Sequence, residues 1–465
     1  MPISDHPIPL APAASPPAVT RLNVPALVAL MLGVVVVTID ISLTSTAVPA
    51  IAASLQLPAA QLIWIINTYY LAVVATLLPL AALGEIYGHR RLFLCGLLVF
   101  ALGALASGSA TALWQLMAGR ALLGVGAAAV SATTPAMIRA LYPPARMGRG
   151  LGLYAMVVGM AFTVGPTATS AVLSLVDWPW LFWMTVPFAL LAFALGCWRL
   201  PDTSHSPRAF DPVAAVLCAA LFACLLYAIA SVAHLGWKPA AAALLGTALF
   251  AFGLHRREAG RSAPLLAADL FRIPLFALSS LTSSCAFAVQ GLVFVVLPFL
   301  LIFKMGYSQV EAGLLITPWP AALAFMTLIA PRLAERVSPG LLGGLGLLVL
   351  ALGLVLLALM PMDAGIGGIA WRLWLCGVGF GLFQSPNMVA LMSSAPPERS
   401  GGAGGILATS RLLGQSLGAA AVALCLSTWP EQGMSVAIWL GAAMALLGSA
   451  VSWLRLLPSI RGAQR

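Results

Sequence analysis

The sequence predicts an all-α membrane protein built from two six-helix bundles, with two further helices inserted between them. Three observations predict this fold class. Of the 465 residues, 61% are hydrophobic and 8% are charged, whereas a soluble chain carries about a quarter charged residues. Apolar stretches of about 20 residues recur from end to end, which is the length that crosses a hydrocarbon core as a helix. Two short segments also repeat at nearly one spacing.

The apolar stretches are bounded by Gly, Pro and charged residues, and they lack the period-2 alternation of membrane strands. They predict fourteen transmembrane helices, with ends defined to within several residues. The expected helices span residues 24–53, 62–83, 92–110, 113–141, 150–175, 178–199, 212–234, 238–255, 274–303, 309–330, 340–360, 366–394, 404–428 and 432–457.

The repeats predict two related halves. Pro143–Gly148 recurs as Pro396–Gly401, 253 residues later, and Leu83–Gly88 resembles Leu333–Ser338, 250 residues later. The offset spans eight predicted helices, and parallel repeats of this kind place a substrate path between the halves. We therefore expect a tail at 1–23, a first bundle at 24–199, a linker with the two inserted helices at 200–273, a second bundle at 274–457 and a tail at 458–465.

The basic residues predict the orientation. With the N-terminus inside, eighteen of the 23 Arg and Lys residues fall on the cytoplasmic side of the predicted helices. The net charge of +10 thus reflects membrane orientation, and no nucleic-acid partner is expected. The seven cysteines lie in apolar segments without metal-ligand spacing, so we expect no metal and no cofactor. The Arg-rich, Ala-rich composition favours a bacterial inner membrane, with both termini cytoplasmic.

Asp40 is the acid that could carry chemistry, because the other twelve lie in loops, tails or helix ends. A charge in the middle of a membrane helix costs ~2.5 to 3.5 kcal/mol, so Asp40 should face the bundle interior or a water-filled cavity. There it can accept a proton or hold a cation, but not easily both, which is the basis of proton/cation exchange. The alternative is a structural ion pair with an arginine inside a helix.

Arg120 and Arg411 are the two basic residues that the orientation map assigns to the membrane interior and to neither side. Arg120 could modulate the protonation of a nearby acid, or it could be a structural donor to backbone carbonyls. For Arg411 the structural role is favoured.

Two segments predict conformational devices. The turn after the second helix could latch one conformation through charge contacts, with plain membrane anchoring as the alternative. It comprises Gly84, Glu85, Gly88, His89, Arg90 and Arg91. The fifth helix carries Gly152, Gly165 and Pro166, which predict a kink where helices cross, with ordinary helix packing as the alternative.

Polar and aromatic residues of several helices are candidates for lining a cavity. Aromatic faces can bind lipophilic cations. The candidates are Thr44, Asn67, Phe287, Gln290, Phe294, Gln384, Asn387, Arg411 and Gln415.

Five motifs, taken in order, resemble the major facilitator superfamily and, within it, the fourteen-helix drug:proton antiporters. Ile39–Pro49 resembles the first-helix motif, with Asp40 at its essential acid. The turn at 83–91 resembles the loop between helices two and three, although Glu85 replaces the usual Asp. Three further segments resemble the fourth-helix motif of proton transfer, the fifth-helix antiporter motif and the start of helix six, namely Arg120–Ala128, Gly152–Ser170 and Asp177–Pro187.

The resemblance implies a monomeric antiporter that exports lipophilic cations from the lipid bilayer or cytoplasm in exchange for protons. Asn67 stands where some relatives have Asp, so we expect monovalent cations to be preferred over divalent ones. The alternative is a dedicated exporter of one metabolite or natural product. A membrane enzyme is not expected, because the sequence has no paired carboxylates, His cluster or activated nucleophile.

Overall fold

The computed structural model describes residues 23–56, 59–143, 146–203, 210–234, 237–258, 268–334, 336–361, 364–396, 400–429 and 431–457. Within these ranges the chain forms helices and turns, and fourteen helical spans are long and apolar enough to cross a membrane. The predicted fold class is thereby confirmed. The predicted tails lie outside the described residues except for Asn23, whose side chain caps the first helix.

The helices divide into two halves and an inserted pair. The first half contains α1 (Val24–Leu55), α2 (Ala59–Tyr87), α3 (His89–Gly108), α4 (Leu113–Leu141), α5 (Met147–Leu173), α6 (Pro179–Trp183) and α7 (Thr185–Arg199). The inserted pair is α8 (Pro212–His234) and α9 (Trp237–Glu258). The second half contains α10 (Pro274–Phe299), α11 (Gln309–Ile316), α12 (Pro318–Ala334), α13 (Pro339–Ala358), α14 (Ile366–Ser394), α15 (Ser400–Thr428) and α16 (Gly433–Leu454).

Two of the fourteen spans consist of two α-helices each, and proline explains both breaks. The tenth span changes from α11 to α12 at Thr317, directly before Pro318. The sixth span changes from α6 to α7 after Trp183, whose carbonyl would accept from the N–H of residue 187 in a regular helix. Pro187 has no N–H, so this bond cannot form.

The two halves repeat the same five helix pairings. In the first half α1 packs against α5 and α7, α2 against α4, and α3 against α4 and α7. In the second half α10 packs against α15 and α16, α12 against α14, and α13 against α14 and α16. Each half buries its own apolar core around these pairings.

The halves meet along two seams. One seam joins α2 to α15, and the other joins α5 to α11 and α12. Helix α8 packs against both α2 and α15 and therefore covers the first seam. Its Tyr227 lies 5.9 Å, centroid to centroid, from Trp64 of α2, while Cys218 and Leu221 belong to the core of the first half. Helix α9 packs on the outside of α8.

The helix bundle has two ends, which correspond to the two faces of the membrane and are called sides below. The arginine-rich side is the one where α1 begins, α2 ends and α15 begins. The opposite side is the one where α1 ends and α4 begins. On the opposite side the α5–α11 seam is tight, because the hydroxyls of Thr167 and Thr317 lie 3.1 Å apart and a Cβ on Gly313 would come within 3.0 Å of the Pro166 carbonyl oxygen.

Candidate functional site: a buried ion pair beside cavities between the halves

Asp40 and Arg120 form a buried ion pair. Arg120 Nη1 donates to Asp40 Oδ2 at 2.7 Å, and each residue is only 1% exposed. The pair joins α1 to α4, 80 residues apart in the chain. A carboxylate and a guanidinium at this distance make a charge-assisted hydrogen bond, which offsets part of the desolvation of both groups. The structure thus brings together the two residues that the sequence marked separately.

The remaining surface of Arg120 is covered by α2 and α6. Its Nε donates to the Ile65 carbonyl at 3.4 Å. Its guanidinium carbon lies 4.5 Å from the ring centroid of Tyr69 and 5.8 Å from that of Phe182. Aromatic faces attract a guanidinium, most strongly where water is excluded. The arginine is therefore held by one acid and two rings.

Three cavities lie between the halves, and α15 lines all of them. The largest, of about 50 Å³, lies toward the arginine-rich side. A central cavity and one toward the opposite side have about 20 Å³ each. Such volumes hold the centres of one to a few water molecules, so a drug-sized ligand requires the halves to separate.

Seven of the nine predicted lining residues contact these cavities. Arg411 lines the largest and the central cavity, and Gln415 lines the central one and the one toward the opposite side. The other five are Phe287, Gln384 and Asn387 in the largest cavity, and Gln290 and Phe294 toward the opposite side. Thr44 and Asn67 are buried but line none of the three.

The predicted latch turn is tied to neighbouring helices of the first half. Arg90 pairs with Asp202 at 2.9 Å just after α7, and the backbone N–H of His89 donates to Thr203. Glu85 interacts electrostatically with Arg139 of α4.

The two glycines of this turn have different roles. Gly88 has a φ of 98°, a conformation that favours glycine. A Cβ on Gly84 would come within 2.7 Å of the His89 ring. Arg91 is exposed.

The predicted kink residues of α5 differ in their surroundings. A side chain at Gly165 would overlap with Ser42 of α1, so this glycine permits the close α1–α5 crossing. The Pro166 carbonyl faces Gly313 of α11 across the seam. Gly152 has open space where a Cβ would be, so it makes no close helix contact.

Comparisons with known proteins decide the family. Residues 30–419 match the Major Facilitator Superfamily. The chain belongs to the major facilitator superfamily. Uncharacterized transporter YebQ of Escherichia coli (strain K12) is 41% identical over 93% of this chain and 95% of its own length. Multidrug resistance protein Stp of Mycobacterium tuberculosis (strain CDC 1551 / Oshkosh) is 30% identical over 88% of this chain and 77% of its own.

A solved structure agrees with the fold. The crystal structure of the human organic anion transporter MFSD10 (TETRAN) superposes with a TM-score of 0.65. It covers 94% of this chain and 100% of its own at 16% identity, which is evidence for the fold alone. This major facilitator protein is therefore a multi-pass membrane transporter of small molecules and not an enzyme, and its relatives include a protein named for multidrug resistance.

Sequence reasoning missed Tyr69 and Tyr154, which line the central cavity of this major facilitator bundle. Tyr69 contacts Arg120 on one face and the cavity on another, so it links the ion pair to the space between the halves. The sequence carried no signal for Tyr69, since it lies five residues after the start of its span, in the region where tyrosine is common.

Arg455 is one of the eighteen basic residues predicted on the cytoplasmic side, and the structure adds that its side chain is buried. Its guanidinium donates to Asn387 Oδ1 at 2.7 Å, Ser452 Oγ at 2.6 Å and Ser279 Oγ at 3.1 Å. Asn387 in turn donates to Ser283 at 2.8 Å. The end of α16 is thus joined to α10 and α14 by neutral partners.

Proposed function

We propose that this chain is a proton-coupled exporter of lipophilic small molecules, in which Asp40 exchanges a proton as the two halves alternate. It works in a bacterial inner membrane with both termini cytoplasmic, so that the arginine-rich side faces the cytoplasm. The observation that carries the proposal is the buried Arg120–Asp40 ion pair beside the cavities between the halves. The name of Stp, a multidrug resistance protein, supports drug-like small molecules as substrates.

Protonation of Asp40 changes the stability of the α1–α4 contact. A proton on Asp40 removes the negative charge that compensates Arg120. Breaking a buried ion pair by removing one charge typically costs about 3–5 kcal/mol, because the other charge is left uncompensated. The two protonation states therefore favour different helix packings, which gives the proton a means to shift a conformational equilibrium.

Tyr69 connects the Asp40–Arg120 ion pair to the central cavity, so it can transmit the effect of Asp40 protonation to the cavity wall. Its ring covers the Arg120 guanidinium and also lines the central cavity opposite Arg411. If Arg120 moves when its acid is protonated, the Tyr69 ring loses its cation contact and the wall of the cavity changes shape.

The sequence predicts lipophilic monocations as substrates, and the dedicated metabolite exporter is the alternative; both stay predictions. The ion pair restricts the binding of a cationic substrate, because Asp40 is already paired with Arg120 at 2.7 Å. An external cation reaches this acid only after Arg120 has left. Both halves belong to one chain, so we propose that a monomer suffices.

The test is proton-driven accumulation of ethidium and of anthracene carboxylate in inverted vesicles, with and without a protonophore. We expect Asp40→Asn to abolish accumulation while exchange of substrate across the membrane without a gradient continues. Asp211→Asn is the matched control, because Asp211 also pairs with an arginine, Arg257, at 2.9 Å but in the inserted pair. Protonophore-sensitive accumulation of either probe by Asp40→Asn would refute the coupling role.

A double variant separates coupling from a structural ion pair. Asp40→Asn combined with Arg120→Gln removes both charges and leaves two amides that can still bond. If the pair only stabilised the bundle, the double variant would concentrate substrate again. We expect it to fold and exchange substrate without concentrating it.

A further inference from the structure

We propose that Arg411 is a substrate-binding residue and that the transported molecule is a lipophilic aromatic compound with an anionic oxygen that pairs with it. The inference rests on the transport function proposed above and names its substrate class. It opposes the preference for monovalent cations predicted from the sequence. Three features of the cavities between the halves support it, together with the charges that line them.

The first reason is that Arg411 has no counter-ion among the described residues. The ion pairs of the described residues involve Arg90, Arg120 and Arg257, and none involves Arg411. Its side chain is half-buried inside the membrane-spanning region of α15. A partly desolvated guanidinium has five N–H donors in a planar fork that matches a carboxylate, so an anionic oxygen is the ligand that it lacks.

The second reason is the room beside Arg411. Gly404, Ala408 and Arg411 follow one another at helical spacing on one face of α15, and all three line the largest cavity. A Cβ on Gly404 would meet only Pro135 of α4, at 3.5 Å. The small residues therefore leave space next to the guanidinium, toward the arginine-rich side from which the substrate is taken up.

The third reason is the chemistry of the opposite wall. Phe287, Phe383 and Tyr154 line the same cavity as Arg411, and they offer aromatic and apolar surface. Gln384 adds a buried Oε1 that has no hydrogen-bond partner within the described chain. A cation, aromatic faces and one free amide acceptor suit an aromatic acid that also carries a donor group.

The charges of the site decide against a cation. Asp40 and Arg120 sum to zero, and neither lines the cavities. Arg411 is the charged side chain among the residues that line the three cavities, so the substrate space is net positive. A monocation is repelled there, whereas an anion gains a charge-assisted hydrogen bond.

The exchange of an anion has an electrical signature. One anion leaving against one entering proton moves two positive charges inward, whereas a monocation exchanged for one proton moves none. An inside-negative membrane potential therefore accelerates transport of the anion and leaves one-for-one exchange of the cation unchanged.

The test uses three anthracene probes that differ only in charge: anthracene carboxylate, anthracene methanol and anthracenylmethyl trimethylammonium. Binding to the purified full chain in nanodiscs is followed by energy transfer from tryptophan. We expect the carboxylate to bind at least about tenfold more tightly than the trimethylammonium probe, as is typical for hydrogen bonds to charged groups. Arg411→Gln should remove this preference, and Arg411→Lys should keep part of it.

Arg372→Gln is the matched control, because Arg372 also lies inside a helix of the second half but donates to the backbone carbonyls of Leu356 and Gly368. We expect it to leave the order of the three probes unchanged. Tighter binding of the trimethylammonium probe by wild type, or an unchanged carboxylate preference in a folded Arg411→Gln variant, would overturn the proposal. Carboxylate binding that depends on Arg411, without proton-driven accumulation, would refute the coupling role while supporting this inference.

Discussion

The two halves share their helix pairings but differ at corresponding positions inside them. Asp40 lies 16 residues after the start of α1, and Gln290 lies 16 residues after the start of α10, at the 250-residue offset that also relates the two turns. The first half thus has a carboxylate where the second has an amide. Arg120 of α4 and Arg372 of α14 correspond in the same way, at an offset of 252 residues.

The partners of these residues differ as well. Arg120 binds a carboxylate, whereas Arg372 donates to the Leu356 carbonyl at 2.9 Å. Gln290 accepts a hydrogen bond of 3.0 Å from Gln415. A proton can therefore change the charge balance of the first half, while the corresponding groups of the second half keep theirs. Under the proposed mechanism, the unequal polar centres of a common scaffold would assign energy coupling to the first half, and the polar residues of the second half would keep their charges throughout.

The comparison is tested most strongly by Arg120→Leu, which leaves Asp40 buried without a cation. We expect a loss of about 3–5 kcal/mol in stability, as for other broken buried ion pairs. The loss should shrink in acidic buffer, because a proton on Asp40 removes the uncompensated charge. The apparent Tm of the purified protein, measured from neutral to acidic pH, checks this expectation. A loss that is the same at every pH would show that Arg120 acts through packing alone.

A smaller effect is expected from Arg455→Met in the second half. The variant leaves Asn387 Oδ1 without its donor, at a cost of about 1–3 kcal/mol, whereas the Ser452 hydroxyl still donates to the Gly340 carbonyl. Because these partners are neutral, the loss of stability should be the same from neutral to acidic pH, the range used for Arg120→Leu. Proton-driven accumulation by the folded fraction should remain. If accumulation were lost in a variant that still binds the anthracene carboxylate, coupling would not be confined to the first half.

The smallest effect is expected from Gln290→Leu. It removes one neutral hydrogen bond with Gln415, worth about 0.5–1.5 kcal/mol, at the position that corresponds to Asp40. We expect transport to stay protonophore-sensitive and to change by less than about tenfold. The measurement is the initial rate of accumulation in inverted vesicles beside Asp40→Asn. Loss of proton coupling in Gln290→Leu would show that both halves take part in coupling and would contradict the proposed difference between them.

Much of the fold could be predicted from the sequence, because a membrane span must be long and apolar and must satisfy its own backbone. These demands leave a clear pattern in the chain, and the fourteen spans follow it. The breaks at Thr317 and after Trp183 are less visible, since Pro318 and Pro187 are two among 33 prolines.

The candidate site could be predicted only in part. Asp40 and Arg120 were recognisable because each charge is costly inside a membrane, but their contact depends on how α1 and α4 pack. The burial of Arg455 could not be predicted for a related reason: the orientation rule gives the side of the membrane on which a basic residue lies, and says nothing about whether Asn387 and Ser452 will surround it.

The inserted helices make the two flanks of the transporter unequal. Helix α8 covers the α2–α15 seam, and the main packing partners of the inserted pair do not include α5 or α12. A lipophilic molecule that diffuses within the bilayer would therefore find the α2–α15 seam covered by α8 and the α5–α12 seam not covered by the inserted pair. If the proposed lipophilic substrate enters from the lipid phase, its approach would therefore be directional in the plane of the membrane.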